Sequence, residues 1–140
     1  GAHNAGANKS GDDQIAYCFA EKTGYSKFGS YTGNGNADGT FVYTGFRPAF
    51  MIIKQTSASG QSWFMIDNKR DIDNPGFNVV YSDDSAAEFS GTYGDFLSNG
   101  FKIRSTSGGV NSSGATYIYM AFAEEPLVAN VGSSIPATAR

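Results

Sequence analysis

The sequence predicts an all-β protein, a two-sheet antiparallel β-sandwich with almost no helix. The 140 residues include 18 Gly, 11 Phe and 8 Tyr, whereas leucine occurs only at Leu97 and Leu127. Aromatic residues fit a pleated sheet and glycine fits turns, while strong helix formers are scarce. Short apolar runs also recur about every 8–12 residues between turn-forming clusters, the spacing of a sandwich or barrel. A chain of this length is one domain and can bury a core without disulfides or metals.

Eight strands are predicted in chain order, each bounded by Gly, Asn, Asp, Ser or Pro. They cover residues 14–20, 26–32, 40–44, 49–54, 62–67, 77–81, 100–104 and 115–123. In the last of them Ile118, Met120 and Phe122 point to one face, and tyrosines and alanines point to the other. Because both faces are apolar, this strand is expected in the interior of its sheet, and the pattern as a whole favours two sheets packed face to face.

Composition also limits the function classes. The net charge is −3, and the ten Lys and Arg are scattered, which argues against a nucleic-acid partner. The single cysteine, Cys18, lies in an apolar run and is expected to be a small core side chain. A role as a catalytic nucleophile is not expected, because the only histidine, His3, lies in a polar leader. No apolar run approaches the ~20 residues that span a bilayer. No cofactor is predicted.

A short motif occurs near each end of the chain. IAYCFAE at residues 15–21 and IYMAFAE at residues 118–124 align without a gap, and the match extends to loop residues such as Asn8 and Asn111. A repeat of this length is one whole sandwich module. The predicted organisation is therefore a linker plus the last strand of a preceding repeat (residues 1–24), a β-sandwich module (25–124) and a C-terminal tail (125–140). The alternative is that the first and last strands of one sandwich have converged on similar residues.

Long stretches of the sequence carry a family resemblance. YCFAEKTGYSKFGSYTGNGNADGTFVYTGFRPAFMIIK, WFMIDNKRD, DFLSNGFKIR and ATYIYMAFAEEPLV resemble a repeat domain of unknown function in structural proteins of marine tailed bacteriophages, often tail-fibre or tail-associated proteins. The resemblance covers nearly all of residues 14–140. It implies a concanavalin A-like, lectin/glucanase-type jelly-roll sandwich, often in tandem copies, at the surface of an extracellular virion.

A sugar-binding site is one hypothesis for the charged loop after the fifth predicted strand. Asp67, Asn68 and Arg70 could bind sugar hydroxyls beside the only tryptophan, Trp63, because glycan sites combine planar hydrogen-bonding groups with an aromatic platform. The alternatives are a solvated loop with local ion pairs for the charged residues and a core position for Trp63.

The segment NGNADG resembles the opening of a calcium loop, with oxygen-bearing side chains at Asn34, Asn36 and Asp38. A loop of the EF-hand type needs a bidentate Glu at its twelfth position, which here is Gly45. We therefore predict a tight turn that joins strands 26–32 and 40–44 as a hairpin, and no metal site; calcium binding at these three side chains is the weaker alternative.

No catalytic motif is evident. Asp83, Asp84, Glu88 and Asp95 could in principle supply a glycosidase pair, but linear spacing on loops cannot establish the required separation. The expected function is a non-enzymatic virion structural module with a role in host-glycan adhesion. The alternatives are a purely architectural capsid or tail decoration protein and, remotely, a polysaccharide depolymerase.

The expected partners are other virion proteins or copies of the chain itself, in an oligomer. The repeated strands are the candidate assembly sites, through Ile15, Tyr17 and Phe19 in the first copy and Ile118, Met120 and Phe122 in the second. An apolar strand left unpaired needs another chain to cover it.

Overall fold

The computed structural model describes Gly11, Asp13 and residues 15–70 and 73–125. Within these residues the chain forms eight strands and one helical turn. They are β1 (Ser26–Thr32), β2 (Phe41–Tyr43), β3 (Pro48–Gln55), β4 (Phe64–Asp67), β5 (Val80–Tyr81), β6 (Gly94–Leu97), β7 (Gly100–Ile103), α1 (Gly108–Asn111) and β8 (Thr116–Ala123). The predicted C-terminal tail lies outside the described residues, apart from Glu125.

The strands form two antiparallel sheets, which confirms the predicted all-β sandwich. One sheet has five strands in the order β1-β8-β3-β4-β5, and the other has three in the order β2-β7-β6. The inner faces meet in an aromatic core in which Phe101 of β7 packs edge-on against both Tyr31 and Tyr119 of the larger sheet. Tyr31 also stacks on Tyr117, with 5.0 Å between ring centroids. The jelly-roll, concanavalin A-like topology stays a prediction.

Strand β8 lies in the interior of the larger sheet, as its two apolar faces predicted. It pairs antiparallel with β1 on one side and with β3 on the other. Tyr117, Tyr119 and Ala121 are buried in the core, so Ile118, Met120 and Phe122 point to the outer face.

The predicted hairpin between residues 26–32 and 40–44 does not form. Strand β1 pairs with β8 in the larger sheet, whereas β2 pairs with β7 in the smaller one. The Asn- and Gly-rich segment between them therefore crosses from one sheet to the other. The hairpin prediction was wrong because turn residues allow a reversal of the chain but do not decide which strands pair.

The predicted strand at residues 14–20 is not a strand over its described residues, 15–20, and Cys18 is exposed. The positions beside β1 and β3 that the motif IYMAFAE occupies are already filled by β8. The first copy lies on the surface and does not pair with the free edge of β1, and the core position expected for Cys18 was wrong. A role for this segment in a preceding module stays a prediction.

Two further elements differ from the sequence prediction. Strand β6 was not predicted because GDFL is short and contains Gly and Asp, yet it pairs with β7 and Phe96 packs on Phe77 at 4.7 Å between ring centroids. The predicted strand 77–81 is reduced to β5 plus an isolated bridge between Val79 and Phe89. Within the described residues, no helix is long and apolar enough to cross a membrane.

Candidate functional site: an apolar sheet face

The outer face of the five-stranded sheet carries large apolar side chains in neighbouring strands. Phe28, Met120, Ile52 and Met65 occupy paired register positions across β1, β8, β3 and β4. Alongside this row, Phe122 packs against Phe28 and Phe50, with ring centroids 6.0 Å and 6.2 Å apart. We call this surface the apolar face; it consists of Phe28, Phe50, Ile52, Trp63, Met65, Ile118, Met120 and Phe122.

A groove of about 380 Å³ lies on the apolar face. Its main lining residues are Phe19, Phe28, Ile52, Trp63, Ile118 and Met120. Of these, Ile118 is 40 % exposed and Trp63 is 38 % exposed. Each lining side chain is apolar or aromatic, so the groove offers an apolar binding surface and few groups that could orient a polar ligand.

The structure brings the first copy of the repeated motif to the rim of this groove. The ring of Phe19 lies 5.8 Å from that of Phe122 and 6.3 Å from that of Phe28. Four of the six predicted assembly residues are therefore together, namely Phe19, Ile118, Met120 and Phe122. Ile15 and Tyr17 are each 82 % exposed.

Trp63 lies at the groove, so the core position considered for it was wrong. It directly precedes β4, its backbone N–H donates to Asp83 Oδ1 at 3.0 Å, and Lys54 Nζ lies 5.9 Å from the ring centroid. Lys54 Nζ also donates to the carbonyl oxygen of Gln61. Trp63 therefore presents an accessible aromatic surface with one cation beside it.

The other predicted sugar-binding residues lie at the opposite end of β4. Because Trp63 and Asp67 are four residues apart on an extended strand, their backbones are separated by roughly 13 Å. Asp67 Oδ1 accepts the N–H groups of Lys69 and Arg70, both at 2.9 Å, and Asp67 Oδ2 accepts Arg70 Nε at 2.5 Å. Asn68 is buried, only 4 % exposed. The structure thus does not unite Trp63 with Asp67, Asn68 and Arg70.

The charge state of Asp67 follows from these contacts. Partial burial raises the pKa of the Asp67 carboxyl, but the backbone N–H and guanidinium of Arg70 and the N–H of Lys69 outweigh it, so the pKa lies below its ordinary value of 3.8. Arg70 Nη1 also pairs with Glu88 at 3.1 Å. The contacts of Asp67, Arg70 and Glu88 hold the turn after β4 within the chain. The buried Asn68 Oδ1 has no hydrogen-bond partner among the described residues.

The oxygens of the calcium-like segment are likewise engaged in local hydrogen bonds. Asn34 Oδ1 accepts the N–H of Asn36, and Asn36 Oδ1 accepts the N–H of Asp38, both at 2.9 Å. The hydrogen bond and charge of Lys102, with a smaller effect of Arg104, lower the pKa of the Asp38 carboxyl. The hydrogen bonds from Asn36 and Asp38 N–H to the two asparagine side chains are Asx-turn contacts, which stabilise a turn through its own side chains. Among the described residues, no three His, Cys, Asp or Glu side chains are grouped as metal ligands.

The four carboxylates considered as a glycosidase pair have separate partners. Asp83 Oδ1 accepts the N–H of Trp63, Asp84 Oδ1 accepts that of Ala86, Glu88 pairs with Arg70, and Asp95 Oδ2 accepts Arg104 Nε at 2.6 Å. Each of the four carboxylates therefore has a structural contact within the chain. That the protein is not an enzyme stays a prediction.

The sequence did not identify four of the groove residues, namely Phe28, Gly29, Ile52 and Tyr119. The available signal was the double apolar pattern of β3 and β8, which predicted an interior strand but left open whether a second layer covers its outer face. In the described part of the chain, the three-stranded sheet packs on only one face of the five-stranded sheet. The outer face is therefore the candidate interaction surface.

Comparison with known proteins gives one finding. The chain belongs to the family described as Domain of unknown function (DUF7483), whose model matches residues 1–126. Both copies of the repeated motif lie within the matched region. Searches of curated proteins and of solved structures found no significant match.

Proposed function

We propose that this member of the DUF7483 family is a non-enzymatic structural module of a bacteriophage virion, in a tail fibre or a tail-associated protein. In this proposal the module joins the particle through the apolar face. The viral setting is supported by the sequence resemblance to virion proteins of marine tailed phages. The mode of action is supported by one structural observation, the contiguous apolar row Phe28, Met120, Ile52 and Met65 on an outer sheet face.

One row from each sheet shows why the centre of this face is unusual. Among the described residues, charged side chains enter the larger sheet's outer face only in the rows on either side, at Lys54 and Asp67. The outer face of an antiparallel sheet in contact with water is normally polar, and on the smaller sheet one paired row contains Phe41, Lys102 and Asp95. The corresponding row of the larger sheet contains no charged side chain. Contiguous exposed apolar patches mark interaction surfaces, and covering them contributes about 25 cal/mol per Å² of apolar area.

Incorporation into particles tests the proposal. Peptides of the chain should be found by mass spectrometry in purified virions of the phage that encodes it. Ile118→Asp places a charge on the apolar face and should lower incorporation at least tenfold when the variant complements a phage that lacks the gene. Tyr43→Asp is the matched control, because Tyr43 is exposed on the other sheet, and it should leave incorporation unchanged.

Two results would contradict the proposal. One is the absence of the chain from purified particles. The other is incorporation of Ile118→Asp at the level of Tyr43→Asp. Circular dichroism and thermal unfolding of both purified variants separate loss of binding from loss of folding.

Host-glycan adhesion is the second candidate, favoured by the accessible ring of Trp63 beside Lys54. A β-sandwich displayed in many copies could convert weak sugar contacts into avid binding. Adhesion predicts that a multivalent display of the chain binds host polysaccharide and that Trp63→Ala abolishes this binding, whereas Phe41→Ala on the other sheet retains it. Release of new reducing ends from the polysaccharide would instead support depolymerase activity and contradict the non-enzymatic role.

A further inference from the structure

We propose that Ile15 and Tyr17 of a second copy of this chain enter the groove, while Phe19 keeps its place on its own chain, so that two copies exchange these segments reciprocally. We call residues 15–19 the arm. The inference rests on the proposed function, because it names the partner that covers the apolar face.

The arm has the side-chain pattern of a strand that lies on an apolar surface. Ile15, Tyr17 and Phe19 alternate with the small residues Ala16 and Cys18. In an extended segment the three large side chains share one side and the small ones share the other. Ile15 and Tyr17 are 82 % exposed and Phe19 is 59 % exposed, so this large side has little cover within its own chain.

Local contacts fix the base of the arm at the groove rim. Ser26 Oγ donates to the carbonyl oxygen of Ala20 at 3.0 Å, and the N–H of Lys22 donates to Ser26 Oγ at 3.1 Å. Phe19 is consequently seated against Phe122 and Phe28. Beyond this anchor Tyr17 and Ile15 do not cover their own groove, which stays open between Phe19 and Trp63.

The dimensions of the arm match those of the groove. Five extended residues span roughly 13–17 Å, and the three strand spacings from β1 to β4 amount to roughly 14 Å. The exposed carboxylate Asp13 precedes the arm, and the cation Lys54 lies beside Trp63 at the β4 side of the groove. An arm that enters at the β1 rim and runs toward β4 thus brings opposite charges together at its far end.

Each copy carries both halves of the contact. The arm row Ile15, Tyr17 and Phe19 corresponds, position by position, to Ile118, Met120 and Phe122 on the apolar face. A twofold dimer requires that each copy present both an inserting segment and a receiving surface, and the arm and the groove of one copy supply the two. With aromatic side chains that bury about 150–250 Å² each, two arms and the surfaces they cover would remove on the order of 1,500 Å², the size of a stable interface.

Complementation between two variants tests arm exchange with the full chain. Tyr17→Asp impairs the arm and Ile118→Asp impairs the groove, so a pair formed by either variant alone has no intact contact. An equimolar mixture regains one intact contact, between the arm of the Ile118→Asp copy and the groove of the Tyr17→Asp copy. Sedimentation gives the dimer dissociation constants, and native mass spectrometry identifies the mixed dimer.

We expect the wild-type chain to dimerise and each variant to raise the dissociation constant at least tenfold, with the mixture binding more tightly than either variant alone. Tyr43→Asp should dimerise like the wild type. If Ile118→Asp unfolds, Trp63→Ser replaces it as the groove variant, because Trp63 lies in the groove but outside any strand.

Three results would overturn the inference: a monomeric wild-type chain, a dimer indifferent to Tyr17→Asp, or a mixture no tighter than its components. If Ile118→Asp reduces incorporation into particles while Tyr17→Asp does not, the proposed function stands and another virion chain occupies the groove. If neither variant affects incorporation, the function of the apolar face fails as well.

Discussion

Asn111 is a buried side chain that connects the helical turn to the crossing loop between the two sheets. It has no exposed surface, its Oδ1 accepts the N–H of Asn34 at 2.9 Å, and its Nδ2 donates to Asn34 Oδ1 and to the carbonyl oxygens of Asn36 and Ser105. Asn34 and Asn36, which resemble calcium ligands in the sequence, are thus partners of a buried amide. A buried polar group that is fully hydrogen-bonded fixes one arrangement of the chain.

Asn111→Ala should lower the free energy of unfolding by about 2–4 kcal/mol, because it removes the hydrogen bonds of a fully buried amide to Asn34, Asn36 and Ser105. Asn99→Ala is the control, since Asn99 is exposed, and it should change stability by less than about 0.5 kcal/mol. Chemical denaturation monitored by fluorescence measures both. Equal stability of the two variants would show that the loop does not depend on the buried amide.

At the scale of elements, α1 illustrates a turn that tertiary contacts create. The sequence GGVN contains no strong helix former, and this stretch lies between the predicted strands 100–104 and 115–123. Tyr117 accepts the N–H of Ser112 and donates to the carbonyl oxygen of Gly108, while Tyr31 donates to that of Val110. Two core tyrosines therefore hold the carbonyl groups of this single turn against the sheet.

Close packing of α1 requires glycine at one position and not at its neighbour. A Cβ on Gly109 would lie 2.2 Å from Cζ of Phe64, whereas one on Gly108 would meet only Ser112 Oγ, at 3.3 Å. Gly109→Ala should therefore lower the free energy of unfolding by about 1–3 kcal/mol through overpacking. Gly108→Ala, the adjacent control, should be neutral within about 0.5 kcal/mol. Thermal unfolding distinguishes them, and equal melting temperatures would refute the steric requirement.

At the scale of the whole molecule, the sandwich is organised around β8. This strand pairs on both sides and contributes Tyr117, Tyr119 and Ala121 to the core. By contrast β2 is a three-residue edge strand, with Phe41 and Tyr43 exposed. Amide groups in a doubly paired, buried strand open only when the fold opens, whereas those at an edge open locally.

Hydrogen–deuterium exchange should therefore be slowest for the amides of β8 and β3 and faster by at least tenfold for those of β2. Rates measured by NMR or by mass spectrometry of peptides give the comparison, with β2 as the internal reference. Exchange in β8 as fast as in β2 would show that pairing on both sides gives β8 no extra protection against opening.

The sequence by itself determined the fold class, the interior position of β8 and most strand positions, because these follow from side-chain alternation within each segment. The alternation also placed the side chains of Ile118, Met120 and Phe122 on the same face of the strand. Only the tertiary structure decided that β1 and β2 lie in different sheets, since turn residues do not select a partner strand. Tertiary structure likewise left residues 15–20 outside both sheets, because β8 occupies the position beside β1 and β3 that the repeated motif fits.

The candidate site was predicted only in part for the same reason. Trp63 and Asp67 are close in sequence, but an extended strand holds them apart and the turn after β4 engages Asp67 with Arg70. The groove instead combines residues that are distant in sequence, such as Phe28, Ile52 and Ile118. Their proximity depends on strand order and register, which arise from pairing across the whole sheet rather than from any local pattern.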